Sequence, residues 1–219
     1  MSIDFYNIRN AFFYLPNADK DCIQSIIRNS KNYWDMMAHD IINKYLKDNA
    51  TILDIGANIG SHTLYWAIER NAKKIYSFEP YDAVFEILNT NIKLNSLQDK
   101  VVLHNIGLSD EICNASIDSI PEANLGSIKV HKRPNGVVQL KTLDSLKIKD
   151  KINLIKIDVE GHEVEVLKGG LKTIEKSRPL LVIESFNRRA EVESVIFPMG
   201  YELIDVIREG EDYVYRCKV

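Results

Sequence analysis

The chain lacks most of the features that would place it outside the ordinary globular class. No apolar run approaches the ~18 residues of a membrane span, so membrane insertion is not expected. Met1 to Asn7 shows no basic start followed by an apolar stretch, so no secretory signal is read there. Cysteine is scarce. Cys22, Cys113 and Cys217 are odd in number and widely spaced, which fits neither a disulfide framework nor a zinc spacing. Idle or buried thiols in a reducing cytoplasm are the expectation. With 28 basic against 31 acidic residues and a net charge of −3, the basic excess of a nucleic-acid binder is missing. There is no repeat, no low-complexity tract and no Pro/Gly/Ser-rich linker, so the 219 residues form one large domain.

What the chain does have is alternation. Residues 1–50 read as a helical N-terminal cap, the best helix spanning Trp34 to Leu46 with Met37, Ile41, Ile42 and Tyr45 as its apolar stripe. From residue 51 the pattern changes. Short apolar runs at 51–55, 74–78, 100–103, 152–157, 179–183, 201–206 and 213–217 read as strands, and helices are expected after Gly60, over 82–94, after His162 and around 192–196. Strands alternating with helices give a doubly wound α/β fold, a mostly parallel sheet with helices on both faces, over residues 51–219. Ligands of such folds sit outside the carboxyl ends of the strands. Residues 109–146 break the alternation. Ser127–Val130 and Val137–Leu140 look like short strands around Pro134-Asn135-Gly136, a hairpin signal. This β excursion either shapes an acceptor pocket or is an inserted surface hairpin.

At the first strand end stands Asp54-Ile-Gly-Ala-Asn-Ile-Gly60. Gly56 and Gly60 allow a tight turn and close approach of backbone to a ligand. The next strand ends in Phe78-Glu79-Pro80, and an acidic residue there can accept hydrogen bonds from both ribose hydroxyls. Asn58 occupies the place of the central glycine of a dinucleotide fingerprint, so an NAD-linked reading is disfavoured, and no P-loop is present. A carboxylate at the turn would repel phosphate and suits a cationic cofactor without phosphates. S-adenosylmethionine, with its amino group and sulfonium, fits that description.

After the fourth strand comes Lys156-Ile-Asp-Val-Glu-Gly-His-Glu163, the densest charged cluster to follow an apolar run. Lys156, Asp158 and Glu160 share one side if extended. Transfer of a sulfonium methyl is an in-line displacement that gains from alignment, and a hydroxyl acceptor also needs a base. Asp158, Glu160 and His162 are the candidates, and Lys156 reads as their neutralising partner. The acidic groups and His162 also have the make-up of a divalent-metal site, so metal binding stays open. The basic residues Lys129, His131, Lys132 and Arg133 suit either an anionic acceptor or a solvated face.

These segments, with Thr142-Leu-Asp144 and Val166-Leu-Lys-Gly169, resemble the FkbM family of S-adenosylmethionine-dependent methyltransferases over about residues 50–185. The resemblance implies a class I fold with a seven-stranded sheet and one antiparallel strand. It implies O-methylation, often of sugars. It places Asp54, Gly56, Ala57, Asn58 and Gly60 at the methionine part of the cofactor, and Glu79 with Pro80 at the ribose. Asn105 falls near the adenine, and Asp158 and Glu160 near the transferred methyl. Gly107 departs from the alanine common in such families. The expected acceptor is a small molecule or carbohydrate. A nitrogen acceptor and a non-catalytic cofactor-binding scaffold are the alternatives. The aromatic residues of the first 50 positions are expected to pack on the domain or on a second subunit.

Overall fold

A computed structural model describes residues 4–117 and 123–218. The chain opens with a hairpin of β1 (Phe5–Ile8) and β2 (Ala11–Tyr14), followed by α1 (Cys22–Ser30) and α2 (Met36–Ile42). The repeating part runs β3 (Thr51–Ile55), α3 (Ser61–Ile68), β4 (Lys74–Phe78), α4 (Asp82–Leu94) and β5 (Val101–His104). Then come the short strands β6 (Gly107–Leu108), β7 (Cys113–Ile117), β8 (Val130–Lys132) and β9 (Val138–Lys141). The chain finishes with β10 (Leu154–Ile157), α5 (Glu163–Gly169), α6 (Leu171–Ser177), β11 (Leu180–Glu184), α7 (Arg189–Ile196), β12 (Tyr201–Ile207) and β13 (Asp212–Cys217).

The main sheet has seven strands in the order β12-β13-β11-β10-β3-β4-β5. Neighbours from β11 to β5 are parallel, and β13 runs antiparallel to both β11 and β12. The expected doubly wound architecture is therefore present. All five residues of β3 are buried, which is why its run is apolar except for Thr51 and Asp54. Helix α4 buries Val84, Ile87, Leu88, Asn91 and Ile92, the stripe of one helical face. One core, on the face covered by α3 and α4, also takes in Ile8, Phe13 and Ile27 from the N-terminal segment. The other core packs α5, α6 and α7 against the opposite face.

Three expectations need correction. Residues 5–14 form a hairpin, not a helix: Ile8, Ala11 and Phe13 turn inward while Phe5 and Phe12 stay exposed, a strand-type alternation. The helix expected over 34–46 is confined to Met36–Ile42, capped by Asp35, whose carboxylate accepts from the Ala38 N–H at 3.1 Å. Its inner face is Ala38, His39 and Ile42, and Met37 is exposed, because the His39 ring stacks on Tyr65 at 3.6 Å. Finally, Pro134-Asn135-Gly136 does not join paired strands. β7 lies between β8 and β9 and pairs antiparallel with each, and the strand expected at 127–130 is displaced to 130–132. The loop passes so close to β7 that a β-carbon on Gly136 would lie 2.0 Å from the Ala115 carbonyl oxygen. Positions 118–122 of the excursion lie outside the described residues.

Candidate active site

Strands β3 and β10 are neighbours in the middle of the sheet, with Asp54 opposite Lys156. The order turns toward β4 on one side and β11 on the other, so the crevice at their carboxyl ends is the switch point of the fold. The turn after β3 is held by the N–H groups of Gly56 and Ala57, both donating to the Phe78 carbonyl. Gly56 and Gly60 have φ of +80° and +90°, and Asn58 has 50°. These left-handed values explain the glycines and the asparagine.

Glu79 closes the turn. Its Oε2 accepts from the Asn58 N–H and its Oε1 from the Tyr81 N–H, each at 3.0 Å. Burial pushes its pKa up to about 7. Each oxygen retains a lone pair, so a bidentate ribose contact remains open to it. Asp54 lies beneath the turn, fully buried, with Oδ2 accepting from Thr63 Oγ1 at 2.6 Å and Oδ1 without a partner among the described residues. Burial raises its pKa, and the Lys156 charge opposes that shift. Pro80 joins Phe78, Ile106, Gly107 and Leu108 in a largely apolar slot whose rim also carries Glu79, Asp158, Glu160 and His162. Asn105 is not in that slot. It is exposed and donates to Asp82 Oδ1 at 2.6 Å. The glycine cradle, the carboxylate of Glu79 and the apolar slot together fit an adenosine-type cofactor with a cationic tail.

The acidic turn faces this cradle. Lys156 is 5 % exposed, and its Nζ lies 2.8 Å from Asp158 Oδ2. Burial would strip its proton, but the charges of Asp158 and Asp54 hold it on. Asp158 shares a hydrogen bond with Glu184, the last residue of β11. Burial and the neighbouring Asp158 charge push the Glu184 pKa up. Burial works against the Asp158 carboxylate too, but Lys156 and the Glu184 hydrogen bond outweigh it and keep it low. Arg208 meets Glu184 Oε1 at 2.8 Å and Asp212 Oδ2 at 2.6 Å.

Glu160 differs from these. It is half-buried, has φ of 53°, and makes no hydrogen bond or ion pair with the described residues. Burial first, and the Asp158 charge second, raise its pKa. His162, at the start of α5, turns the other way. It borders the apolar slot, its Nε2 meets Ser109 Oγ at 2.9 Å, and burial lowers its pKa. The candidate metal ligands are thus Asp158, Glu160 and Glu184, with carboxylate oxygens within 4.8 Å of one another, and His162 is not among them. Lys156 and Arg208 already balance two of the three.

Asp158, Glu160, Lys156 and Glu184 also border a polar cavity of 390 Å³ beside the glycine turn. Sequence reasoning missed part of its wall: Trp34 from the N-terminal segment, His62, Glu184 and Arg208. Glu184 had a signal, a carboxylate closing an apolar strand. Arg208 and Trp34 had none. Lys132, from the basic cluster, pairs with Asp110 at 2.6 Å and Glu111 at 2.7 Å, which favours the solvated-face reading.

Comparison with known proteins gives this geometry a context. Residues 54–217 match the model of the methyltransferase FkbM domain. The chain is 31% identical over 128 residues to the hexuronic acid methyltransferase AglP of Haloferax volcanii, covering 56% of this chain and 51% of that protein. It is 26% identical over 203 residues to the methyltransferase sdnD of Sordaria araneosa, covering 75% and 78%. It therefore spans about half the length of AglP. Among solved structures, the methyltransferase FkbM of Methylobacillus flagellatus superposes with a TM-score of 0.57 at 17% identity, over 78% of this chain and 44% of that one. The B. subtilis m1A22 tRNA methyltransferase TrmK gives 0.52 at 14%, over 82% and 64%. At these identities the structures share the fold, which does not fix the acceptor. No helix among the described residues is long and apolar enough to cross a membrane.

Proposed function

The chain belongs to the methyltransferase FkbM domain family, and on that premise we propose that it transfers a methyl group from S-adenosylmethionine to a hydroxyl of a sugar, glycoconjugate or related small molecule. The donor is the one the family implies, and when bound it supplies an electrophilic methyl on sulfur. The turn at Gly56, Ala57, Asn58 and Gly60 would hold its amino-acid part, Glu79 its ribose, and the slot of Phe78, Pro80, Ile106 and Leu108 its adenine. Asp54, beneath the turn, favours the cationic end by charge. Asp158 stands where the methyl would be presented, fixed by Lys156.

One observation carries the reading. The turn after β3 and the acidic turn after β10 are in direct contact, and beside them Glu160 offers an unpaired carboxylate with a raised pKa. We assign it as the base that takes the acceptor proton. His162 borders the slot with its Nε2 engaged by Ser109 Oγ, and acts there as a wall. The name of AglP supports a sugar-type acceptor. The test is transfer of labelled methyl to neutral methyl glycosides, free hexuronates, amines and nucleosides, with calorimetric binding of S-adenosylhomocysteine as companion. Transfer to a glycoside or hexuronate hydroxyl is expected. Cofactor binding with transfer only to nitrogen, or to nothing, overturns the acceptor class, and no cofactor binding overturns the methyltransferase reading itself.

A further inference from the structure

His62, in the first turn of α3, has no part in the chemistry above, yet it borders the polar cavity and is only 7% exposed. Its Nδ1 lies 3.2 Å from Nε2 of His39, a fully buried residue of α2. Its own Nε2 takes no hydrogen bond from the described residues. The His39 Nδ1 is likewise without a partner, and no water can reach it. A buried N–H without an acceptor is costlier than a buried lone pair without a donor. The proton of His39 therefore sits on Nε2 and is donated to His62 Nδ1. That leaves the proton of His62 on Nε2, the ring nitrogen without a partner among the described residues, in a side chain that borders the cavity. The rings are held there by stacking: His62 on Trp66 at 5.6 Å and His39 on Tyr65 at 3.6 Å.

The surroundings favour an anion at that point. Helix α3 starts at Ser61 after a left-handed Gly60 and has no side-chain cap, so its first N–H groups are open toward the cavity. The N-cap position is Gly60, which has no side chain to offer, and Ser61 Oγ accepts instead from the Trp34 N–H at 2.8 Å. The glycine turn adjoins this helix end. Glu79, the glycine turn and His62 border the same cavity, so a donor whose ribose meets Glu79 can lay its amino-acid tail along the turn toward α3.

We propose that His62 donates from Nε2 to the carboxylate of the bound S-adenosylmethionine or S-adenosylhomocysteine, and that His39, outside the matched family region, sets the tautomer that makes this donation available. The proposal rests on the donor assigned above. It makes the N-terminal segment a positioning element for the cofactor as well as a wall of the cavity.

The discriminating probes are S-adenosylhomocysteine and 5′-methylthioadenosine, which keeps the adenosine and sulfur but lacks the carboxylate. Both are titrated calorimetrically into wild type, His62→Phe and His62→Gln, with thermal melts to confirm folding. His62→Phe is expected to weaken S-adenosylhomocysteine about 10-fold or more and to leave methylthioadenosine within about 2-fold. His62→Gln, which keeps an N–H, is expected to restore much of the loss. In wild type, the ¹⁵N resonance of His62 Nε2 should shift on adding S-adenosylhomocysteine and not on adding methylthioadenosine, a readout that needs no variant. Equal losses for both ligands, or an unmoved Nε2 resonance, overturn the assignment. Failure of wild type to bind either ligand overturns the donor assignment on which it stands, a result distinct from selective loss.

Discussion

A β-carbon on Gly56 would lie 1.7 Å from the carbonyl oxygen of Asp158, so the glycine turn and the acidic turn meet backbone to backbone. Gly56 also has φ of +80°. A Gly56→Ala variant must strain its own backbone, at about 1–3 kcal/mol, and push the β10 turn away. We expect a lower melting temperature and at least a tenfold loss of S-adenosylhomocysteine affinity by calorimetry. Wild-type affinity in this variant would show that the two turns can separate without consequence.

Removing the unpaired carboxylate should separate catalysis from binding. Glu160→Gln is expected to lower kcat by ~10²–10⁴-fold, the usual worth of a general base. Affinity for S-adenosylhomocysteine should stay within a few-fold. Since burial and Asp158 raise the Glu160 pKa, wild-type rate should climb with pH above the ordinary glutamate range, as the base is freed. The variant should lose that limb. Persistence of the limb in Glu160→Gln and its disappearance in His162→Gln would move the role to His162.

Glu79 should leave a mark on stability as well as on binding. Its pKa rises from an ordinary 4.5 to about 7 through burial. The folded protein then holds a proton that the unfolded chain has released between those values. Its contribution is fully present below pH 4.5 and is lost as pH rises through 7, amounting to the order of 3 kcal/mol. Denaturant unfolding across pH 4.5–8 should show this decline, and Glu79→Gln should flatten it. Glu79→Ala should in addition weaken S-adenosylhomocysteine by a large factor.

Arg208 is the cation for a buried acidic group. It meets Glu184, Asp212 and, at 3.4 Å, Asp35. Arg208→Met leaves those carboxylates uncompensated, at about 3–5 kcal/mol. Burial already pushes Asp212 up to about 6 against the pull of Arg208, and without the guanidinium it should rise further. Acids with raised pKa favour folding at low pH, so the deficit should be largest near pH 8 and shrink toward pH 5. A pH-independent deficit in thermal melts would mean that the arginine acts through packing.

The sheet was legible because its central strands β3, β10 and β11 are buried on both faces. The runs at 51–55 and 74–78 coincide with β3 and β4, and 82–94 with α4. The N-terminal hairpin was hidden by its shortness and by a turn, Arg9-Asn10, that lacks glycine although Arg9 has φ of 51°. The pairing of β8 and β9 with β7 was hidden because Cys113-Asn-Ala-Ser-Ile117 has no strong alternation. At the site, Asp158, Glu160 and Glu79 were legible as carboxylates closing strands. Asn105 was one residue away from the slot: backbone alternation sends Ile106 inward and leaves Asn105 to Asp82. The direction of His162, the pairing of His39 with His62 and the reach of Arg208 depend on which elements pack together, which no local pattern encodes.

Strand β12 precedes β13 in the chain, yet among the described residues β13 is its only neighbour in the sheet and lies between it and β11. β12 therefore has no edge to join until β13 is in place. Its insertion zips two ladders at once and brings Arg208 and Asp212 to Glu184. A chain in which β13 is not yet docked can lay down β3, β4 and β10, but its acidic turn has no counter-cation from this corner. The acidic corner should thus assemble only once β13 has docked, as a single step.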